Sequence, residues 1–199
     1  MNVDEVLFAN FFKQDQALKK INFTIFGYRI QGEKYDRLWY HLLGRKITVN
    51  RRISDFGFSE AEAAGAAYFM ISNNFSIGGQ FDATGEYGKT FMAHEGAHAL
   101  IDLQNLGAVD RGRSEAVAYL AEAIWRKESG LGPLKAARNS RTANASGFEP
   151  MRDLAFAMAG ALAGTNGSVP DADADKLAEA IRNHPTYTDP KPHISDGIG

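Results

Sequence analysis

Apolar residues recur at helical spacing through residues 88–106, where Phe91, Met92, Leu100, Ile101 and Leu103 predict a buried helix. Gly107, just past the last periodic residue, reads as its C-terminal cap. A second helix is expected from Arg113 to Trp125, with Ser114 as N-cap and Gly130 beyond its end. Val117, Leu120 and Ile124 form its core stripe, and Glu115, Tyr119 and Glu122 share a different face. Upstream, residues 4–20 read as an amphipathic helix with Val6, Leu7, Phe11 and Leu18 inward. Alternation of Phe23, Ile25, Tyr28 and Ile30 makes 22–30 a strand, ended by Gly32. Residues 33–43 look helical, with Leu38, Trp39, Leu42 and Leu43 buried; 47–53 is a short strand, and helix formers dominate 59–67.

Residues 67–71 and 75–77 flank Ser72-Asn73-Asn74, a turn signal, and predict a hairpin closed by Gly78-Gly79. A polar loop over 82–89 leads into the first helix and is placed to overhang a cleft. Residues 130–148 read as a loop, followed by helices near 150–163 and 171–183, the latter opened by acidic residues. Residues 185–199 carry three prolines and read as a loop or mobile tail behind a single domain spanning 1–184. The expected fold class is α+β, a small and mostly antiparallel sheet covered by helices.

Composition changes this picture little but excludes several functions. With 44% hydrophobic and 23% charged residues in 199, a core can form. The net charge of −2 and the lack of a basic patch argue against nucleic-acid or anionic-membrane partners. Cysteine is absent, which removes disulfides, cysteine-based zinc sites and thiol nucleophiles. The longest apolar stretch, 154–164, is too short to span a bilayer. The run from Met1 to Phe8 lacks a basic signal region, so cytoplasmic synthesis and folding are expected, with signal-less export as an effector still compatible.

The chemistry concentrates in His94-Glu95-Gly96-Ala97-His98. Residues four apart share one helix face, with Cβ atoms about 5–6 Å apart, so both imidazoles can reach one Zn²⁺. Glu95 points about 100° round the helix from His94, beside the metal without ligating it, where it can deprotonate zinc-bound water. An internal His-Glu-His cluster would otherwise be costly to bury. Ala93, Gly96, Ala97 and Ala99 would let neighbouring backbone approach closely. Catalytic zinc sites take three protein ligands. Glu115 is the expected third, because a short connection brings the start of the second helix near the end of the first. Glu122 lies about 10 Å further along the axis, cannot join it on the same ion, and reads as a surface or supporting carboxylate.

His94, Glu95, His98 and Glu115 resemble the zincin metallopeptidases, specifically the gluzincin type with HExxH on one helix and a glutamate on the next. Glu115-Ala116-Val117-Ala118-Tyr119-Leu120-Ala121 is similar to the second helix of small bacterial metallopeptidase-like domains, including toxin-associated ones. The resemblance implies a zincin-like fold, a Zn²⁺ cofactor and hydrolysis of peptide bonds in a peptide or protein substrate. It also implies that the strand before the metal helix pairs with extended substrate, and the hairpin is the matching place. Gluzincins usually place an aspartate four residues beyond the glutamate to orient the first histidine; Tyr119 stands there, leaving Asp102, Asp110 or a backbone carbonyl as candidates. Tyr119 is the first candidate for stabilising the oxyanion, ahead of Tyr87, His184 and Tyr187, while His41 and His193 read as structural and tail residues. The rival reading is a zinc-binding regulatory or effector domain, with a single protein target or no catalysis, and an inhibitor or immunity protein is left open.

Overall fold

The first helix, α1 (Val3–Gln14), opens on a reciprocal cap: the Asn2 side chain accepts from the Glu5 N–H, and the Glu5 carboxylate accepts from the Asn2 N–H. The expected single helix over 4–20 is broken at Asp15, whose extended backbone starts a short α2 (Gln16–Lys19). Asp15 is held there because its Oδ1 accepts from both the Leu18 N–H and the Trp125 indole N–H. The inward face is set by Phe8 and Phe12, fully buried, whereas Val6 is exposed.

The computed structural model describes residues 1–51, 66–135, 148–162, 167–187 and 192–198. Most of the helix-forming run at 59–67, much of the 130–148 loop, and residues 52–53 of the expected 47–53 strand lie outside them. Residues 22–30 form a hairpin of β1 (Asn22–Ile25) and β2 (Tyr28–Gln31), not one strand. Its two-residue turn puts Phe26 and Gly27 at φ 53° and 81°, the mirror-image turn that matches strand twist. Phenylalanine is a poor turn signal, so the pattern concealed it. Helix α3 (Tyr35–Leu43) buries Tyr35, Leu38 and Leu42, and leaves Leu43 exposed.

A three-stranded sheet follows: β3 (Thr48–Arg51) runs parallel to β5 (Asn74–Ile77), and β4 (Ala66–Phe69) pairs antiparallel with β5 from the other side. The expected hairpin is therefore present, and β4 is an edge of a mixed sheet. Helix α4 (Glu86–Asp102) packs against β4, and α5 (Arg111–Glu128) packs against α4. Two further helices, α6 (Glu149–Ala161) and α7 (Asp171–Arg182), lie against α5. Among the described residues the architecture is α+β, with small mixed and antiparallel sheets instead of one mostly antiparallel sheet.

Helix α4 is buried on every side from Met92 to Asp102, which explains why its apolar pattern carries imidazoles and carboxylates inward as well. Gly96 faces aromatic side chains, not backbone: a Cβ there would stand 2.7 Å from a Tyr35 ring carbon and 2.8 Å from one of Phe12. Both rings are fully buried, and the Tyr35 hydroxyl donates to the Ala93 carbonyl at 3.1 Å. Gly96→Ala should therefore cost about 1–2 kcal/mol, because overpacking outweighs the gain of about 1 kcal/mol in helix propensity. Thermal unfolding checks this; an unchanged or raised midpoint contradicts the packing described.

Helix ends differ from the expected ones for local reasons. Asp110, not Ser114, caps α5, accepting from the Arg113 N–H. Gly130 closes α5 at φ 74°, with its own N–H donating to the Lys127 carbonyl and the Leu131 N–H to Arg126, the paired bonds that satisfy orphan carbonyls. Gly107 does not cap α4, which ends at Asp102; it begins β6 (Gly107–Val109). The partner of β6 is β7 (His193–Ser195), so part of the expected tail is a strand. It is fastened where α4 ends, because the Gly197 N–H donates to the buried Asp102 carboxylate and the Ser195 hydroxyl to its carbonyl. Among the described residues no helix is long and apolar enough to cross a membrane.

Candidate metal centre

His94 and His98 stand one turn apart on α4 and turn their Nε2 atoms toward the same oxygen of Glu115. The separations are 3.4 Å from His94 and 3.7 Å from His98, and the three ligand atoms lie within 4.8 Å of one another. Two donors bound to one ion at about 2.0–2.1 Å in a tetrahedral arrangement stand about 3.3 Å apart, close to the two separations from Glu115. Exposure of the three is 6%, 4% and 6%. This buried cluster could hold a metal ion, and its donor set of two imidazoles and a carboxylate is what such an ion needs.

The far side of each ring is held as firmly. His94 Nδ1 lies 3.2 Å from Glu122 Oε2, and His98 Nδ1 lies 2.9 Å from Ser114 Oγ. In the neutral form a metal ligand requires, a proton on each Nδ1, donated to those oxygens, leaves both Nε2 lone pairs for an ion that Glu115 would share. Glu122 is 2% exposed and not solvated. It takes the orienting role expected of Asp102 or Asp110, which are committed elsewhere. Asp102 accepts from the Tyr68 hydroxyl, and Asp110 caps α5 and pairs with Arg182. The signal for Glu122 was present as a polar stripe at i, i+4 and i+7 on α5. Glu115 meets the His94 ring at Nε2, Glu122 meets it at Nδ1, and Tyr119 between them packs edge-on at 4.8 Å.

Charge is balanced one residue further out. Arg152 on α6, 9% exposed, donates from Nε to Glu122 Oε1 at 3.1 Å. Burial raises the Glu122 pKa, but Arg152 and His94 outweigh it and hold the carboxyl below its ordinary range. Burial likewise opposes charge on Glu115, yet His98 and His94 keep it well below the usual carboxylate value. Burial would lower His94, but hydrogen bonds to Glu115 and Glu122 override it and lift its pKa to about 10. Without metal, His94 is thus an imidazolium at neutral pH. A metal ligand must be neutral, so metal uptake at pH 8 should release about one proton from this ring. Titration calorimetry in buffers of differing ionisation enthalpy reads this directly, and release should vanish as pH rises past about 10. Uptake without proton release at pH 8 would contradict the charged pair.

Glu95 reaches the sheet edge while still feeling the charges of His94, His98 and Glu115. Its Oε2 accepts the Tyr68 N–H of β4 at 2.8 Å, and burial pushes its pKa above the ordinary value. The edge of β4 therefore meets α4 at the one carboxylate of the pentapeptide.

The remaining candidates separate clearly. Tyr119 is buried, and its hydroxyl lies 3.0 Å from that of Tyr187, which is half-buried. Tyr87 is exposed and its ring packs on Phe91, while His184 packs on Phe148 at 4.3 Å. His41 is half-buried on α3, where its carbonyl accepts from Lys46 and Ile47. His193, expected in the tail, stands at the centre: its ring meets His98 edge-on at 5.5 Å and its Nδ1 lies 3.2 Å from Ser114 Oγ. Burial, then the neighbouring His98, hold its pKa down at about 4. No local pattern marks His193; only pairing of β7 with β6 brings it there. No protein-family model, curated protein or solved structure matches the chain.

Proposed function

We propose that the protein is a zinc-dependent hydrolase of the gluzincin type, with a zincin-like arrangement, cleaving peptide bonds. One observation carries the reading: both imidazoles are held at Nδ1, by Glu122 and Ser114, while both Nε2 atoms face one oxygen of Glu115. A purely structural polar cluster would not need both free nitrogens to converge on a single point. Two imidazoles and one carboxylate suit zinc among biological divalent ions and leave a coordination position open. When bound, zinc supplies a Lewis acid that polarises the scissile carbonyl and lowers the pKa of water.

The protein's own groups do the rest. Glu95 takes the proton of the attacking water and passes it to the leaving amine; its raised pKa brings it nearer to the working pH. Its bond to the Tyr68 N–H fixes the side chain between the sheet edge and the ligand cluster. The edge strand β4 is where extended substrate would add as a further strand. Tyr119, donating to Tyr187, leaves the Tyr187 hydroxyl proton for the developing oxyanion. His193 Nδ1 accepts the Ser114 hydroxyl proton in the same way, leaving its Nε2–H as a second donor.

The test is metal analysis of protein purified without chelator, together with proteome-wide identification of cleavage products. Stoichiometric zinc with new peptide termini is the expected result. Protein that takes up zinc yet generates no termini from any proteome supports the regulatory reading instead.

A further inference from the structure

Among the described residues Arg111, on the helix that carries Glu115, meets no anion. It opens α5 one turn before Glu115, so the two side chains share a helix face. Its Nε is buried and meets no acceptor, and among the described residues no hydrogen bond or ion pair reaches its guanidinium. Arg113 is exposed and lies over the Phe26 ring, and three other arginines nearby have anions. Arg126 binds Glu86, Arg152 binds Glu122, and Arg182 takes Asp110, the acid next in sequence to Arg111. Arg111 instead lies over the Tyr187 ring, 5.4 Å from its centroid. The hydroxyl of that ring reaches Tyr119, one turn beyond Glu115, so Tyr187 runs alongside the ligand glutamate with Arg111 against its face. His193, which touches His98, feels the Arg111 charge as well.

A guanidinium offers its donors in a planar fork, and here the Nε–H is buried and unmet, which is costly unless a ligand accepts from it. The fork matches a carboxylate in bidentate fashion. We propose that Arg111 binds a carboxylate of the substrate, so the centre takes peptides with a carboxylate beside the bond to be cut. That carboxylate is either the chain terminus or an aspartyl or glutamyl side chain. The proposal rests on the peptidase reading.

The test uses zinc-loaded Glu95→Gln protein, whose slowed turnover lets binding be read, titrated with three probes: acetyl-trialanine, acetyl-trialanine amide, and acetyl-Ala-Glu-Ala amide. One of the two carboxylate peptides should bind roughly ten- to hundredfold more tightly than the plain amide, and which one names the source. In an added Arg111→Gln background of equal zinc content the preference should disappear. Arg111→Lys, which keeps the charge and loses the fork, should weaken it. Equal binding of all three peptides overturns the proposal, as does a preference undiminished in either variant, which would place the carboxylate on the metal. A protein that takes up no zinc ends the hydrolase reading instead, and the same peptides titrated onto zinc-free protein still decide Arg111.

Discussion

Glu95→Gln is expected to keep its zinc and its fold while losing about 10²–10⁴ in turnover, the contribution of a positioned general base. The amide is nearly isosteric, and its oxygen can still accept the Tyr68 N–H that Glu95 binds at 2.8 Å. It also removes a carboxylate whose charge burial disfavours, so stability should change by no more than about 1 kcal/mol. Metal content, thermal unfolding and cleavage rate on an identified substrate separate these terms. Loss of zinc would mean that Glu95 is a ligand, and retained turnover would mean that another group moves the proton. Either result removes Glu95 from the role given to it.

The second large effect belongs to Glu122, which touches no reacting atom. Glu122→Gln strips Arg152 of its anion in a site where the guanidinium is 9% exposed and bonded at 3.1 Å. Breaking one side of a buried pair typically costs about 3–5 kcal/mol, because the remaining charge stays buried and uncompensated. The same change weakens the acceptor at His94 Nδ1, and loss of such an orienting partner lowers metal affinity about 10–100-fold. The double variant Glu122→Gln/Arg152→Met distinguishes the two roles. Stability should return with the charge removed from both sides, while zinc affinity stays low. Denaturant unfolding and competition with a zinc-chelating dye measure the pair. If the double variant recovers full affinity, Glu122 stabilises the fold alone and does not orient His94.

Both predictions concern residues of one sequence stripe, yet only part of that stripe was readable. His94, His98 and Glu115 follow from spacing, because four residues on a helix and a short connection between helices place them together whatever surrounds them. Glu122 was visible as a polar residue on the right face, but a polar helix position is usually solvated. Its burial depends on α6, which delivers Arg152 from a separate part of the chain. Ser114 reads as a cap because capping residues and hydroxyl partners of histidine look alike in sequence; Asp110 takes the cap and leaves Ser114 to His98. The break at Asp15 and the turn at Phe26-Gly27 were hidden for a related reason. Tertiary partners, such as the Trp125 indole, overrode the local pattern.

The amino-acid sequence by itself determined the two helices at the centre, the hairpin before them, and the three side chains that could hold a metal ion. These depend on short-range periodicity, which repeats within a few residues and needs no knowledge of the rest. Tertiary structure alone decided what holds the histidines at Nδ1, what neutralises Glu122, and how β7 carries His193 to the ligands. It also decided that, among the described residues, the buried Arg111 Nε one turn before Glu115 meets no acceptor. Those outcomes depend on contacts between distant segments, which form only when burial forces each polar group to find a partner or to wait for one.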